Sequence, residues 1–358
     1  MLQSFLLARV LLRFDKKADD LLGDISAATR TPDGSLWVAS DERLGIERLS
    51  PVEPSIFGNH HHYRVGDFVE LFDDDDEIDI EGMDYCDGYL WLVGSHSTKR
   101  KKPKGKKEAK DLERLTEIKR ERNRYLLARI PVVNGELLKS YASSDRAEDE
   151  LAAACLAKTE TGNILIEALA EDPHFGGIIA SGLPSKENGF DIEGLVVRGN
   201  RIFLGLRGPV LRGWAIILEL EVEETKPGIL GLKPIGEDGL LYKKHFLELD
   251  GLGIRELCWH GDKLLVLAGP TMVLEGAMRI FQFKGILEES GNSLCWQDSD
   301  RLKVLFELPV PVGTDRAEGL TLFPCLGQPD RLMVVYDSPH PSRMPKAHEI
   351  YADVFKLP

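Results

Sequence analysis

Residues 79–97, DIEGMDYCDGYLWLVGSHS, decide the fold, because versions of this stretch occur four more times along the chain. An alternating run at 79–83 leads into a Cys-Asp-Gly turn at 86–88, and an apolar run follows at 89–93. Alternation, an Asp-Gly turn and a second β-rich run together predict a β-hairpin. The stretch is therefore predicted to be one unit of a repeated β-structure.

The other four copies have the same order of alternating run, turn and apolar run. They are GDISAATRTPDGSLWVASDE (23–42), DIEGLVVRGNRIFLGLRGP (191–209), IRELCWHGDKLLVLAGP (254–270) and RAEGLTLFPCLGQPDRLMVVYDS (316–338). Further strand-like runs follow the later copies, at 123–133, 214–222, 244–249, 277–283, 302–308 and 349–357. Repeated sets of about four strands, each too small to bury its own faces, are typical of a β-propeller.

We therefore predict a single all-β domain over residues 1–358, a five-bladed β-propeller. The last copy is followed by only one strand, so we expect the N-terminal run at 5–14 to complete its sheet and close the ring. Six blades are the alternative, because Glu81 and Glu193 are 112 residues apart whereas the later repeats are separated by 63 and 62. If the propeller has five blades, two insertions account for the long separation between Glu81 and Glu193.

The first insertion, 99–122, begins with KRKKPKGKK and continues with a charged segment of helical composition. It is predicted to be a solvated arm, or alternatively a basic lid over one end of the propeller. The second, 143–183, is predicted to be helical, because apolar residues between 151 and 169 recur at mostly helical spacing.

Composition limits the classes of partner and compartment. The net charge of −14 disfavours duplex nucleic acid, whose binding needs a surplus of cations, and suits divalent cations or cationic ligands better. The five cysteines are odd in number and have no CxxC spacing, which predicts reduced thiols. No run reaches the length of a membrane span, and the apolar start is interrupted by Arg9 and Arg13. We expect a cytoplasmic protein without a membrane partner.

The hairpins predict where a ligand would bind. The start of each first strand and the end of each second strand lie side by side, so these positions converge at one mouth of the central channel. The predicted ligand-binding residues there are Glu81, Glu193, Glu256, Glu318, Ser95, His96, Arg207 and Arg316. The predicted metal-binding residues are Asp24, Asp41, Asp79, Asp191 and Asp337. Carboxylates this close raise one another's pKa or require a cation, and oxygen-rich sites select Ca²⁺ or Mg²⁺.

The Glu residues also have a structural interpretation. Each could accept hydrogen bonds from backbone amides of the neighbouring blade, with the glycine that follows most of them allowing the close approach. Two other motifs have mainly structural readings: the acidic run at 73–76 as a solvated loop near the mouth, and His60–His62 as a surface loop on the opposite face.

The D-x-E-G-[LM] starts, the PDGSLWV turn and strand at 32–38 and the Ser-Asp-Glu that follows resemble the esterase-like phytase propellers. The arrangement over the whole chain is most similar to an uncharacterised bacterial family of that wider group, a domain of unknown function. For the phytase-like relatives the resemblance implies phosphate-ester substrates and calcium. The matching positions in this chain are Asp24, Asp41, Glu42, Asp79, Glu81, Asp191, Glu193 and Glu318.

Two departures limit what the resemblance implies. Ser26 stands where the motif has Glu, and Ile254-Arg255 replaces the Asp of the fourth copy. Two functions stay open: a binding module with an unknown small-molecule or protein ligand at the mouth, and a calcium-dependent phosphoesterase. The sequence contains no GxSxG, P-loop or GxGxxG motif and indicates no nucleophile or general base, which favours the binding module.

Overall fold

The computed structural model describes residues 5–143, 146–297, 299–309 and 313–358. Its regular structure is dominated by strands. The strands up to residue 163 are β1 (Leu6–Arg13), β2 (Ile25–Arg30), β3 (Leu36–Ser40), β4 (Gly45–Glu53), β5 (Ile56–Arg64), β6 (Ile80–Cys86), β7 (Tyr89–Gly94), β8 (Lys99–Arg100), β9 (Ile118–Lys119), β10 (Leu127–Val133), β11 (Glu136–Leu137), β12 (Ser140–Ser143), β13 (Arg146–Ala152), β14 (Ala154–Leu156), β15 (Lys158–Thr159) and β16 (Gly162–Asn163).

The later strands are β17 (Asp191–Arg198), β18 (Arg201–Gly208), β19 (Trp214–Lys226), β20 (Ile229–Leu232), β21 (Lys243–Glu248), β22 (Gly253–His260), β23 (Lys263–Gly269), β24 (Arg279–Lys284), β25 (Ser293–Cys295), β26 (Leu302–Glu307), β27 (Arg316–Cys325), β28 (Gln328–Asp337) and β29 (Glu349–Phe355). The α-helices are α1 (Glu108–Thr116), α2 (Ile164–Ala170) and α3 (Gly176–Ser181).

The five repeats form antiparallel hairpins that each begin a small sheet. We name the sheets in chain order: sheet I is β2-β3-β4-β5, sheet II β6-β7-β10-β14, sheet III β17-β18-β19-β21, sheet IV β22-β23-β24-β26 and sheet V β27-β28-β29-β1. The first strands contact one another in the order β2, β6, β17, β22, β27 and back to β2. Sheets arranged around an axis in this way give an all-β architecture of the propeller type.

The two ends of the chain meet in sheet V. β1 pairs antiparallel with β29, from Leu6 opposite Phe355 to Arg13 opposite Glu349. β1 also pairs in parallel with the outermost strand of sheet I, through Leu11 and Leu12. The prediction that the N-terminal run completes the last sheet is confirmed, and the apolar start of the chain belongs to the core.

The core consists of apolar clusters between consecutive sheets. Phe203 of β18 and Phe281 of β24, for example, belong to a fully buried cluster between sheets III and IV. The first strands approach closely because small residues face the neighbouring sheet. A Cβ on Gly82 would lie 2.8 Å from the Cβ of Leu195, and one on Gly194 would lie 2.9 Å from Leu257 Cγ. The glycine after Glu in the repeat is thus required by packing between sheets.

The second insertion is only partly helical, which corrects the prediction for 143–183. Residues 146–152 and 154–156 are strands β13 and β14, and helices begin only at Ile164. β14 joins β10 of sheet II and pairs in parallel with β20, where Cys155 lies opposite Ile229. The spacing of the apolar residues predicted a helix where the chain forms strands. Pairing with a strand distant in sequence overrides local propensity, and the spacing does not reveal it.

The first insertion folds as a short ribbon with a helix at its tip. β8 and β9 pair antiparallel, Lys99 opposite Lys119, and α1 lies between them in sequence. The helix has no buried residue, whereas ion pairs such as that of Arg100 with Glu187 attach the base of the ribbon to the body of the protein.

His60, His61 and His62 lie within strand β5, so the prediction of a surface loop is wrong. The strand period places His60 and His62 on one face, where both rings bind the buried Glu47 of β4. The distances are 2.6 Å from His60 Nε2 to Oε2 and 2.8 Å from His62 Nδ1 to Oε1. Burial raises the pKa of Glu47, but the hydrogen bonds with the two rings outweigh it and lower the pKa to about 2.

All five cysteines lie in the described part of the chain and are unpaired. Within the described residues, no helix is both long and apolar enough to cross a membrane.

A candidate ligand cavity on the propeller axis

A cavity of about 1140 Å³ opens at the end of the channel where the first strands begin. Its floor is formed by side chains of the five hairpins. The hairpins of sheets I, II, III and V contribute acidic residues and arginines, whereas the hairpin of sheet IV contributes Arg255. Its wall carries the basic insertion on one side and residues 270–278 on another. The predicted residues that line it are Asp41, Asp79, Glu81, Asp191, Glu193, Arg207, Arg316, Glu318 and Asp337. These nine predicted residues therefore lie around one cavity.

The hairpin register explains which side chains reach the cavity. Each hairpin has a register shift at one residue of its first strand, and this residue is Ser26, Glu81, Glu193, Arg255 or Glu318. The position in the fourth repeat that corresponds to Glu81 is therefore one residue earlier than the sequence comparison predicted. Arg255, not Glu256, is the counterpart of Glu81, and Glu256 takes the place of Ala27 in the first repeat and of glycine in the other three. The local alternation therefore points Glu256 away from the axis.

Glu256 is fully buried between sheets III and IV, outside the cavity lining. Its Oε1 accepts hydrogen bonds from the backbone N–H of Leu195 at 3.0 Å and of Leu257 at 2.8 Å. Burial raises the pKa of Glu256 well above its usual range, although these two hydrogen bonds lower it. The geometry fits the structural interpretation for this residue.

Asp41, Asp79 and Glu81, which we call the acidic trio, converge at the boundary between sheets I and II. One carboxylate oxygen of each can be chosen so that all three lie within 4.8 Å of one another. Asp79 has a backbone φ of +59°, a left-handed conformation that Asp tolerates, and its Oδ2 lies 2.6 Å from the Nη1 of Arg124. Asp41 and Glu81 have no ion-pair or hydrogen-bond partner within the described residues.

Burial and neighbouring charges raise the pKa of two members of the trio, Asp41 and Glu81. Burial, followed by the charges of Asp79 and Asp337, raises the pKa of Asp41 to about 8. Burial and then the charges of Asp79 and Glu193 raise the pKa of Glu81 well above its usual range. Asp41 therefore holds a proton at neutral pH unless a cation replaces it, and the same causes favour the uncharged form of Glu81. The donor set, three carboxylates with free oxygens, fits a hard divalent cation such as Ca²⁺ or Mg²⁺.

A second part of the floor is neutralised by arginines. Arg207 Nη2 lies 2.6 Å from Asp191 Oδ2, and its Nη1 lies 2.6 Å from Glu193 Oε1. Arg255 continues the chain of ion pairs from Glu193 to Glu318. All five side chains are nearly inaccessible to solvent. Asp191, a predicted metal ligand, and Arg207, a predicted ligand-binding residue, are therefore already engaged with each other.

The remaining predicted residues lie at the rim or outside the cavity. Asp24 faces Asp337 across the boundary of sheets I and V; burial and the charges of Glu42 and Asp337 raise its pKa to about 6. Ser95 is buried below the floor, and His96 lies in a separate small depression, where its Nε2 is 2.8 Å from the Nδ2 of Asn163. Burial lowers the pKa of His96 to about 4.

Arg124, the counterion of the trio, was not predicted. It follows the charged insertion in a short 3₁₀ turn, and it is buried between Asp79, Glu77 and Glu121. A single arginine after a run of many charged residues gives no signal of burial. The acidic run at 73–76 was predicted near the mouth, but only its neighbour Glu77 lines the cavity.

The rim carries two surfaces of different chemistry. The basic insertion contributes Lys102 and Lys104, and Lys186 lies nearby; none of the three ammonium groups has a partner within the described residues. The loop 270–278 between β23 and β24 contributes Met272, Val273 and Leu274, whose exposed fractions are 45%, 69% and 63%.

The sequence model of one family, DUF3616, described as a protein of unknown function, matches residues 24–353. No curated protein matches the chain at a significant level.

Solved structures with propeller-like similarity include three bacterial proteins. A virginiamycin B lyase from Staphylococcus aureus is 14% identical with a TM-score of 0.34, over 92% of this chain and 67% of that one. A putative glucose dehydrogenase from Thermus thermophilus is 13% identical with a TM-score of 0.40, over 93% and 97%. A PQQ-bound aldose sugar dehydrogenase from Streptomyces coelicolor is 12% identical with a TM-score of 0.36, over 97% and 98%. No activity is transferred from similarities of this size.

Proposed function

Because the chain belongs to the DUF3616 family of proteins of unknown function, we propose a function from its own geometry: it is a five-bladed propeller that serves as a binding module and holds a divalent cation at the acidic trio. The closed order of contacts among β2, β6, β17, β22 and β27 supports five blades. The observation that carries the cation site is the convergence of the Asp41, Asp79 and Glu81 oxygens within 4.8 Å.

The charges around the trio favour a cation over a structural role. The other buried carboxylates of the floor, Asp191, Glu193 and Glu318, each have an arginine in contact. Asp41 and Glu81 have none, and Arg124 is directed to Asp79. A buried carboxylate pair without a counterion costs free energy that a bound divalent cation recovers. Calcium is the cation we propose, because it accepts irregular oxygen ligands and fills its remaining positions with water.

Calcium titration by calorimetry tests the site after the protein has been treated with a chelator. We expect one calcium ion per chain for the wild type, and at least about a tenfold weaker affinity for the double variant Asp41→Asn, Glu81→Gln. The matched control is Asp74→Asn, Asp75→Asn, which removes the same charge from an exposed run outside the cavity. Equal calcium affinities for the wild type and the trio variant would rule the site out.

A calcium-dependent phosphoesterase is the second candidate, favoured by the unpaired Lys102 and Lys186 on the rim of the same cavity. A bound divalent cation would supply polarisation of a phosphoryl oxygen and a more acidic water. The two lysines would hold the anionic oxygens of the ester while water attacks phosphorus and the P–O bond to the alcohol breaks. Hydrolysis of a panel of phosphate monoesters, with calcium and with a chelator, tests this candidate. Absence of turnover in both conditions leaves the binding module.

A further inference from the structure

The cavity has two features that a cation site alone does not require. Its rim carries three lysines that have no ion-pair partner in the described part of the chain, and an exposed apolar loop lines its wall. The lysines belong to the basic insertion and to the segment before sheet III, whereas the loop belongs to sheet IV.

The lysines point to an anionic ligand. Three other cations of the insertion line the cavity but are engaged: Lys99 with Glu77 and Glu121, Lys101 with Glu117, and Arg100 with Glu187. Lys102 and Lys186 have no ion-pair partner within the described residues, and both line the same cavity as Asp41. A cation at the trio and these ammonium groups together present positive charge to one side of the cavity, as a phosphate group requires.

The loop points to an apolar part on the same ligand. Met272, Val273 and Leu274 are consecutive and exposed, in a cavity whose floor is ionic. Consecutive exposed aliphatic side chains beside a polar pocket mark a surface that is covered when a ligand binds. The residues behind the loop, Met278 and Leu308, are buried and extend the apolar wall inward.

We propose that the ligand of this cavity is a soluble organic phosphate monoester whose organic group is apolar. The phosphate lies between the acidic-trio cation and Lys102, Lys104 and Lys186, and the apolar group packs against Met272, Val273 and Leu274. This inference rests on the proposed cation site, because without a cation the acidic floor repels the phosphate. The size of the cavity, about 1140 Å³, accommodates a small molecule of this class.

Calorimetry with hexyl phosphate and methyl phosphate tests the inference on the full chain in calcium. The two esters carry the same charge, so their difference measures the apolar contact. We expect hexyl phosphate to bind at least about tenfold more tightly than methyl phosphate, since burial of about two of its five additional methylenes already gives that ratio. Val273→Ser with Leu274→Ser removes this preference and leaves methyl phosphate unchanged, whereas Lys102→Gln with Lys186→Gln weakens both esters about tenfold.

Two matched controls change the same residue types elsewhere. Leu326→Ser alters a 76% exposed leucine in the turn of sheet V, and Lys226→Gln with Lys346→Gln removes two exposed charges outside the cavity. Equal affinities for the two esters, absence of binding by both, or a preference that survives in the loop variant would overturn the inference. The calcium titration separates the two proposals. Calcium binding without an ester preference overturns only the ligand class, and a preference retained in chelator with no calcium binding overturns the cation site.

Discussion

The guanidinium of Arg255 binds Glu193 across the boundary between sheets III and IV, with Nε 2.8 Å from Glu193 Oε2. The same side chain also pairs with Glu318 of sheet V. One arginine therefore connects three sheets at the floor of the cavity, in the position that Glu81 and Glu193 occupy in their own repeats.

Arg255→Ala is expected to destabilise the protein by about 3–5 kcal/mol, because it leaves two buried carboxylates without their counterion. The matched control is Arg279→Ala in the same sheet. Arg279 also contacts two carboxylates, Asp250 and Glu307, but all three side chains are partly exposed to solvent, so its loss is expected to cost about 1 kcal/mol or less. Urea unfolding of both variants measures the difference. Similar losses of unfolding free energy in the two variants would show that the buried network stabilises the protein no more than a surface ion pair does.

Glu256→Gln is expected to change the free energy of unfolding by less than about 1 kcal/mol at pH 7, whereas Glu256→Ala costs about 2–3 kcal/mol. The amide oxygen of glutamine keeps the two hydrogen bonds from Leu195 and Leu257, and burial raises the pKa of Glu256 well above its usual range, which favours the uncharged carboxyl that glutamine resembles. Alanine leaves two buried N–H groups unsatisfied. A large cost for the glutamine variant, measured by urea unfolding, would show that the carboxylate charge is needed.

The fold was predictable because the hairpin pattern occurs five times in the sequence. Five copies of one hairpin indicated the sheets, and the single strand after the fifth copy indicated that β1 closes sheet V. The position of Glu256 was missed because the fourth repeat has Arg255 where three other repeats have Glu, so aligning Glu256 with those glutamates displaced this repeat by one residue. The strand β14 was missed for a different reason: its partner β20 lies more than 70 residues later in the chain. Long-range pairing has no local signature.

The cluster of Glu47, His60 and His62 predicts a pH-dependent contribution to stability. The hydrogen bond with Glu47 raises the pKa of His62 above its ordinary value of 6.5, more than burial lowers it. A raised pKa in the folded state stabilises the protein below about pH 6.5, and this stabilisation is lost as the pH rises through the folded value.

Glu47→Gln is therefore expected to lose more stability at pH 5.5 than at pH 8.5, by about 1 kcal/mol because solvent screens the half-exposed His62. Urea unfolding at the two values measures it. His61→Gln, on the exposed face of the same strand, serves as the control and should lose equal amounts at both. A pH-independent loss in Glu47→Gln would mean that the cluster stabilises through packing and neutral hydrogen bonds.

The raised pKa of Asp41 predicts a second pH dependence of stability, which reports on the cation site. Its pKa rises from about 3.8 in the unfolded chain to about 8 in the folded protein. The metal-free folded state therefore binds more protons than the unfolded state between these values, and its stability falls as the pH rises from 5 to 8. Calcium competes with those protons, so we expect it to stabilise the wild type more at pH 8 than at pH 5.

Asp41→Asn removes the titrating group while keeping the shape of the side chain. In the presence of a chelator, we expect the free energy of unfolding of the wild type to fall between pH 5 and pH 8 by about 2 kcal/mol more than that of this variant. In calcium the wild type should regain that stability at pH 8, and the variant should respond weakly at both values. Thermal unfolding with and without calcium measures both effects, with Asp74→Asn as the matched surface control. Parallel profiles for the wild type and Asp41→Asn would mean that the acidic trio is stable without a cation, and the carboxylates would then be structural residues between sheets I and II.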